Sequence, residues 1–227
     1  RAALREAGIE TEGLRASGSS ACEVVAVAGD GRLRTRFGGD AGEPVAIDVA
    51  AVLRGAAALL LDCSSVAEQL RAAEAARVLG LPVILDVSEL RDGVSELIAT
   101  ADILLASERV ASELAPRGEL VDALGELMAM GPRAAVITLG ASGAIGRHGA
   151  TVVQCPAFPS EVLDSHGAGS VFHGAFVAAL LSELPFARCV ELGCAAAALS
   201  LRELGPWAAM PSREDVRGLI KTRDATR

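Results

Sequence analysis

VLDSHGAGSVFHGAFVAALL, residues 162–181, opens on an acid and a small polar residue, Asp164 and Ser165. It then passes through a Gly167-Ala168-Gly169 turn into an apolar, alanine-rich run. This is the pattern of a loop feeding a helix that starts near Gly167 or Ala168. Glycine tolerates positive φ and lets a ligand come close to the backbone. The first N–H groups of a helix lack internal partners, and the helix dipole adds partial positive charge there. Such an end suits an anion, phosphate above all. An ordinary glycine-rich loop capping a buried helix fits the same spacing.

The residues before this stretch alternate between two periodicities. Strands are expected at 57–62, 81–86, 102–105, 134–139 and 144–147, with 151–154 as a hairpin partner. Helices are expected at 66–79, around 88–99, at 108–114 and at 119–130. Apolar strands alternating with helices predict a parallel sheet covered on both faces, an α/β fold in three layers. Ligands of such sheets sit beyond the carboxyl ends of the strands.

Composition narrows the function classes. A chain of 227 residues, 51% hydrophobic, can bury a full core and suits a single domain over 1–227. A net charge of −8 argues against nucleic-acid or anionic-membrane partners. Lys221 is the only lysine, there is no tyrosine, and Trp207 is the only tryptophan, which leaves little aromatic surface for stacking bases. The longest apolar run, 189–201, carries Glu191 and reads as a buried helix, not a membrane span. Five cysteines, odd in number and without a CxxC pair, predict reduced thiols in a cytoplasmic protein. His148, His166 and His173 lack metal-ligand spacing with them, so no metal site is expected.

The chain starts inside a helical pattern, RAALREAG, closed by Gly8. Because residue 1 is Arg1, further residues are expected upstream. Two strand candidates follow, 22–28 and 32–37, joined by Gly29-Asp30-Gly31, a strong hairpin turn. Arg32, Arg34 and Arg36 alternate along the second, giving it one charged face. Gly38-Gly39 reads as a loop hinge.

Asp164-Ser165-His166-Gly167-Ala168-Gly169-Ser170 resembles the D-T-x-G-A-G-D signature of the ribokinase-like (PfkB) carbohydrate kinases. Phe172-His173-Gly174-Ala175-Phe176 resembles its continuation. Further matches extend over nearly the whole chain. Leu4–Leu14 resembles the family's L-x-x-x-G-I-D-T helix, and Ile84-Leu85-Asp86 its V-x-x-D strand, whose acid lies near the phosphates. Val136–Ala144 resembles V-x-T-L-G-x-x-G, whose Thr and Gly backbone line the nucleotide. Ala195–Leu201, Gly205 and Pro211–Val216 resemble the tail that flanks adenine.

The resemblance implies a ribokinase-like fold with a small β-hairpin lid at about 20–40, and ATP with Mg²⁺ as cofactors. The acceptor would be a sugar or nucleoside hydroxyl, and the lid could mediate a homodimer. Gly167, Ala168 and Gly169 would form the anion hole. Thr138, Gly140, Gly143 and Ser107 would line the nucleotide, and Asp164 would hold the loop beside a monovalent-cation site. The family's opening strands and Gly-Gly substrate motif would precede Leu4, so the N-terminal part of the fold is expected to be absent here.

Two departures bear on activity. The family's base, the final Asp of the signature, is Ser170. Its P-N-x-x-E motif, which organises Mg²⁺ through water, reads Ala106-Ser107-Glu108-Arg109-Val110. Valine offers no oxygen to a hard cation, and Ser107 fits a helix N-cap. His173, three residues past Ser170, could act as a base or simply pack. An impaired kinase, and an inactive nucleotide- or anion-binding pseudokinase or interaction module, are therefore both expected outcomes. An acyl-hydrolase is not, since no G-x-S-x-G elbow occurs.

Overall fold

The computed structural model describes residues 2–10, 22–28, 31–37, 48–116, 118–205 and 207–225. The chain divides into two compact units, Arg1–Val52 and Leu53–Arg227. The first holds a short helix α1 (Ala2–Glu6), an antiparallel pair β1 (Cys22–Ala28) and β2 (Gly31–Phe37), and α2 (Val49–Val52). The pair runs in the register Cys22↔Phe37 to Ala28↔Gly31, as the turn signal predicts. The turn residues Gly29 and Asp30, the Gly38-Gly39 hinge and the end of the Leu4–Leu14 match lie outside the described residues.

The second unit is built on six strands in the order β3 to β8: Leu59–Leu61, Val83–Val87, Ile103–Ser107, Ala134–Thr138, Ala144–His148 and Thr151–Cys155. Strands β3 to β6 are parallel. Strands β7 and β8 return antiparallel. The sheet is therefore mixed, not wholly parallel. The link between β6 and β7 holds only a short 3₁₀ turn, Gly140–Ser142, far too little chain for a crossover helix.

Helices α3 (Val66–Val78), α4 (Val94–Thr100), α5 (Glu108–Leu114) and α6 (Leu120–Ala129) connect the parallel strands. The helical region expected from Ser88 starts only at Val94, because Gly93 sits in the left-handed region at φ 80° and serves as its N-cap. The other helices are α7 (Ala168–Leu181), α8 (Phe186–Ser200) and α9 (Arg213–Ala225).

Each central strand is buried on both faces. Ile84, Leu105 and Val136 pack with Phe172 and Phe176 of α7 and Val190 and Ala195 of α8. Their neighbours Leu85, Leu104 and Ile137 are equally buried and point the other way, as strand alternation requires. Full burial of each such side chain contributes about 1.5–3 kcal/mol.

The α7–α8 contact is set by small residues. A Cβ placed on Gly193 of α8 would lie 2.7 Å from Phe172 Cε2 and 2.8 Å from its Cδ2. Phe172 is buried against the sheet and cannot move aside. Gly193→Ala should therefore cost about 1–3 kcal/mol, a Tm lowered by roughly 2–12 °C at this chain length, readable by calorimetry. At the far edge, Arg223 of α9 stacks over Phe158 at 3.9 Å and pairs with Glu191 of α8, which also takes Arg188. That cluster pins the last helix to the one before it.

Candidate functional site

The carboxyl end of β4 meets the start of α7. His173, one turn into α7, places Nδ1 2.7 Å from Asp86 Oδ2 at the end of β4. His173 is 6% exposed, so this contact ties the helix start to the sheet from inside. His173 Nε2 and Asp86 Oδ1 are buried without a hydrogen-bonding partner among the described residues.

Gly167 is the N-cap of α7, with φ 80°, a conformation glycine adopts freely. No side chain caps the helix. The Ala168 N–H donates to Ser165 C=O at 3.4 Å, whereas the Gly169 and Ser170 N–H groups meet no described acceptor. The loop before them is held from both sides by Asp164. Its Oδ1 accepts from the His166 N–H at 2.8 Å and its Oδ2 from the Gly205 N–H at 3.0 Å. The N–H groups of Leu163 and Asp164 both donate to Leu201 C=O. Asp164 is thus a bracket between the loop and the turn that follows α8.

Gly167 and Ser170 line a cleft of about 500 Å³ that runs along α7 to Ser182 and is walled by α8 and by residues 207–217. No carboxylate lines it. The cleft can hold an anion at the amide end of α7, and it offers no proton acceptor.

The remaining residues singled out from sequence lie at neighbouring strand ends and do not line this cleft. Ser107 and Thr138 are register partners at the ends of β5 and β6. Gly140 and Gly143 follow in the tight turn to β7, at φ 55° and 94°. Ser107 caps α5, its Oγ accepting the Val110 N–H at 3.4 Å. Val110 itself is fully buried, and Glu108 is exposed in the first turn. This donor set does not fit Mg²⁺: the serine oxygen serves the helix and the valine has none. No group of three or more His, Cys, Asp or Glu able to hold a metal occurs among the described residues.

The turn after β3 adds a polar network at the same end of the sheet. Asp62 Oδ1 accepts from the Ser64 N–H at 3.0 Å and from Gln69 Nε2 at 2.6 Å. Burial raises the Asp62 carboxyl, and the hydrogen bonds from Ser64 and Gln69 outweigh it, so it stays below the ordinary carboxylate value. Cys63 beside it sits at φ 62° and donates to Asp86 C=O at 3.6 Å. Burial, with the charges of Asp86 and Asp62, pushes its thiol up to about 11. A thiol so rarely ionised is a poor nucleophile. Native protein at pH 8 should leave Cys63 unmodified by iodoacetamide, and peptide mapping after denaturation should find it free. Cys63, Cys155, Cys189 and Cys194 are buried free thiols.

The match at Pro211–Val216 supplies part of the cleft wall, Pro211, Ser212, Arg213 and Val216. Sequence reasoning missed the rest: Trp207 and Met210 are 50% and 58% exposed and lie in an irregular turn without periodicity, and Arg217 falls on α9 one turn beyond Arg213. Among the described residues no helix is long and apolar enough to cross a membrane.

A mixed α/β sheet, with a glycine-capped helix start at its carboxyl edge, defines a protein of the doubly covered α/β class. The comparisons carry this to a family. Residues 1–213 match the model of the pfkB family of carbohydrate kinases, and the chain belongs to that family. The Bacillus subtilis ribokinase is 34% identical over 140 residues, 62% of this chain and 46% of the relative. The Thermococcus kodakarensis cytidine kinase is 30% identical over 119 residues, 52% of this chain and 43% of the relative. The structure of Arabidopsis thaliana ribokinase complexed with ribose and ATP superposes with a TM-score of 0.80 at 27% identity, covering 90% of this chain and 70% of that one. The fold is ribokinase-like. The chain spans less than half the length of the curated relatives it matches.

Proposed function

We propose that this chain is part of an ATP-dependent phosphotransferase acting on an alcohol group of a small molecule, a sugar or a nucleoside, and that its transfer step is impaired. The observation that carries the reading is the amide end of α7, where Gly167 and Ser170 line a cleft with no side-chain cap and no carboxylate. Gly167, Ala168 and Gly169 hold the phosphoryl oxygens through their backbone. Thr138, Gly140 and Gly143 line the nucleotide, and Asp164 fixes the loop between them. ATP supplies the phosphoryl group when bound. The β1–β2 hairpin serves as the substrate lid and as a surface for pairing with a second copy, and the protein works in the cytoplasm.

Phosphoryl transfer is mainly positioning and electrostatics, with a carboxylate taking the hydroxyl proton. A serine hydroxyl is far too weak a base for that near neutral pH. Position 170 therefore binds without accepting.

A second reading, a nucleotide- or anion-binding protein that transfers nothing, is favoured by the residues after β5. Ser107 is spent on the α5 cap and Val110 is buried, so Mg²⁺ would have no protein-organised water shell. Calorimetry with ATP-Mg²⁺, followed by coupled ADP release over a panel of sugars and nucleosides, separates the two. Slow acceptor-dependent ADP release supports the impaired kinase, and ATP binding with no release supports the second reading. Release at an ordinary kinase rate of about 1–100 per second would defeat both.

A further inference from the structure

We propose that His173 is a positioning residue for the anion at the start of α7: as an imidazolium it cancels the charge of Asp86, which would otherwise oppose that anion. The inference rests on the phosphoryl-binding part of the reading above, and not on its transfer step.

His173 lies one turn past Gly169 on α7. Helical side chains lean toward the N-terminus, so its ring covers the first turn, where the Gly169 and Ser170 amides are free. The residue is 6% exposed, and Phe172 meets the ring edge-on at 5.7 Å. Asp86 Oδ2 stands 2.7 Å from Nδ1. Two bare acceptors repel at that distance, so a proton lies between them. Asp86 has no other ion-pairing partner among the described residues.

Without the imidazolium, Asp86 would be a largely buried charge with no counterion, an arrangement that destabilises strongly. It would also repel phosphate from the amides above it. Its field already reaches the next turn, where, after burial, it is the largest cause that pushes the Cys63 thiol up. No other group near this end of the sheet takes the place of His173. Asp62 adds a second negative charge, exposed to solvent. Arg91 is exposed and paired with Glu89. The titratable groups that α8 brings to the core it shares with α7 are Cys189 and Cys194. Both thiols are pushed up, Cys189 by burial and Cys194 by its hydrogen bond with Cys155 and by burial. At a separation of about 10 Å and an effective dielectric of about 20, one unit of charge changes the affinity for a monoanion roughly tenfold. That is the repulsion the imidazolium removes.

Calorimetry with inorganic pyrophosphate, at fixed ionic strength and without acceptor, reads the sign of each change. Asp86→Asn should bind pyrophosphate about threefold to tenfold more tightly, and His173→Gln about tenfold more weakly. The double variant keeps two hydrogen-bonding side chains and no charge, and should return to within about threefold of the parent. A contact that only holds the helix in place would weaken binding in both single variants, and that result overturns the proposal. Should His173→Gln not fold, recovery of fold and affinity in the double variant supports the charge balance, and failure there overturns it. The chain has three histidines, so ¹⁵N-histidine labelling gives three imidazole signals. That of His173 is the one left when His148 and His166 are replaced by glutamine. It should show both ring nitrogens protonated at neutral pH, and a neutral ring overturns the proposal. So does a parent protein that binds no pyrophosphate. The expected signs without acceptor-dependent ADP release leave the role of His173 standing and defeat the kinase reading instead.

Discussion

Ser170→Asp should raise acceptor-dependent ADP release by about 10²–10⁴-fold, the usual worth of a general base. Ser170 is exposed in the first turn of α7 and lines the cleft, so the longer side chain meets solvent, not core. A carboxylate at the third helical position also interacts favourably with the helix dipole, by about 0.3–1 kcal/mol. The variant should fold at least as well as the parent. Its affinity for ATP should move the other way. A negative charge beside amides that hold phosphoryl oxygens opposes the anion, so calorimetry should show weaker nucleotide binding as turnover rises. That opposition of signs is the diagnostic result. An enzyme limited only by its missing base shows both changes. A weaker ATP affinity with no gain in rate would place the block in Ser107–Val110, where the cap and the buried valine leave the ion without oxygen partners.

The parts of this site carried by local chemistry are legible in the amino-acid order alone. The α7 start follows from glycine at an N-cap that needs positive φ. Helix α5 begins at Glu108 because Ser107 caps it. The strand at 134–138 is read from a β-branched apolar run. What sequence could not show depends on residues far apart in the chain. Asp86 and His173 lie on different elements and meet only in the fold, and nothing local in LDVSE or VFHGA announces a pair. The cleft wall is a second case. Trp207 and Met210 gain meaning only once α8 turns the chain back over α7, and Arg217 only because α9 presents it one turn beyond Arg213. The strand at 57–62 contracts to Leu59–Leu61 for a related reason: its neighbour β4 pairs with three of its residues and no more. The mixed sheet sits between these extremes, since the short link after Thr138 already forbids a crossover to β7.

Gly143→Ala should be the most destabilising single methyl in the second unit, at about 4 kcal/mol or more, and should abolish nucleotide binding. Gly143 lies at φ 94° and ψ −125°, a region essentially closed to residues with a Cβ. The added carbon would stand 2.1 Å from Cys155 O, 2.6 Å from Ala157 N and 2.7 Å from Pro156 C. All three are backbone atoms, so no rotamer change relieves the clash. Relief requires β8 to move away from β7 at the Ala144↔Cys155 pair, and β8 in turn packs against α8 through Cys155. The Leu139 N–H bond to Gly143 C=O, 2.8 Å, would open with it. Gly140→Ala is the matched control. Gly140 sits at φ 55°, in the ordinary left-handed region, and a Cβ there meets nothing within 4 Å. Its cost is the conformational one alone, about 1–2 kcal/mol. Thermal melts of the two variants should therefore differ by several degrees, with Gly143→Ala the lower. Equal melting would mean that strain, shared by both glycines, governs this turn and that the approach of β8 does not. If Gly140→Ala also loses ATP affinity while keeping its fold, the loop after β6 holds the nucleotide through its backbone and not merely the sheet edge in place.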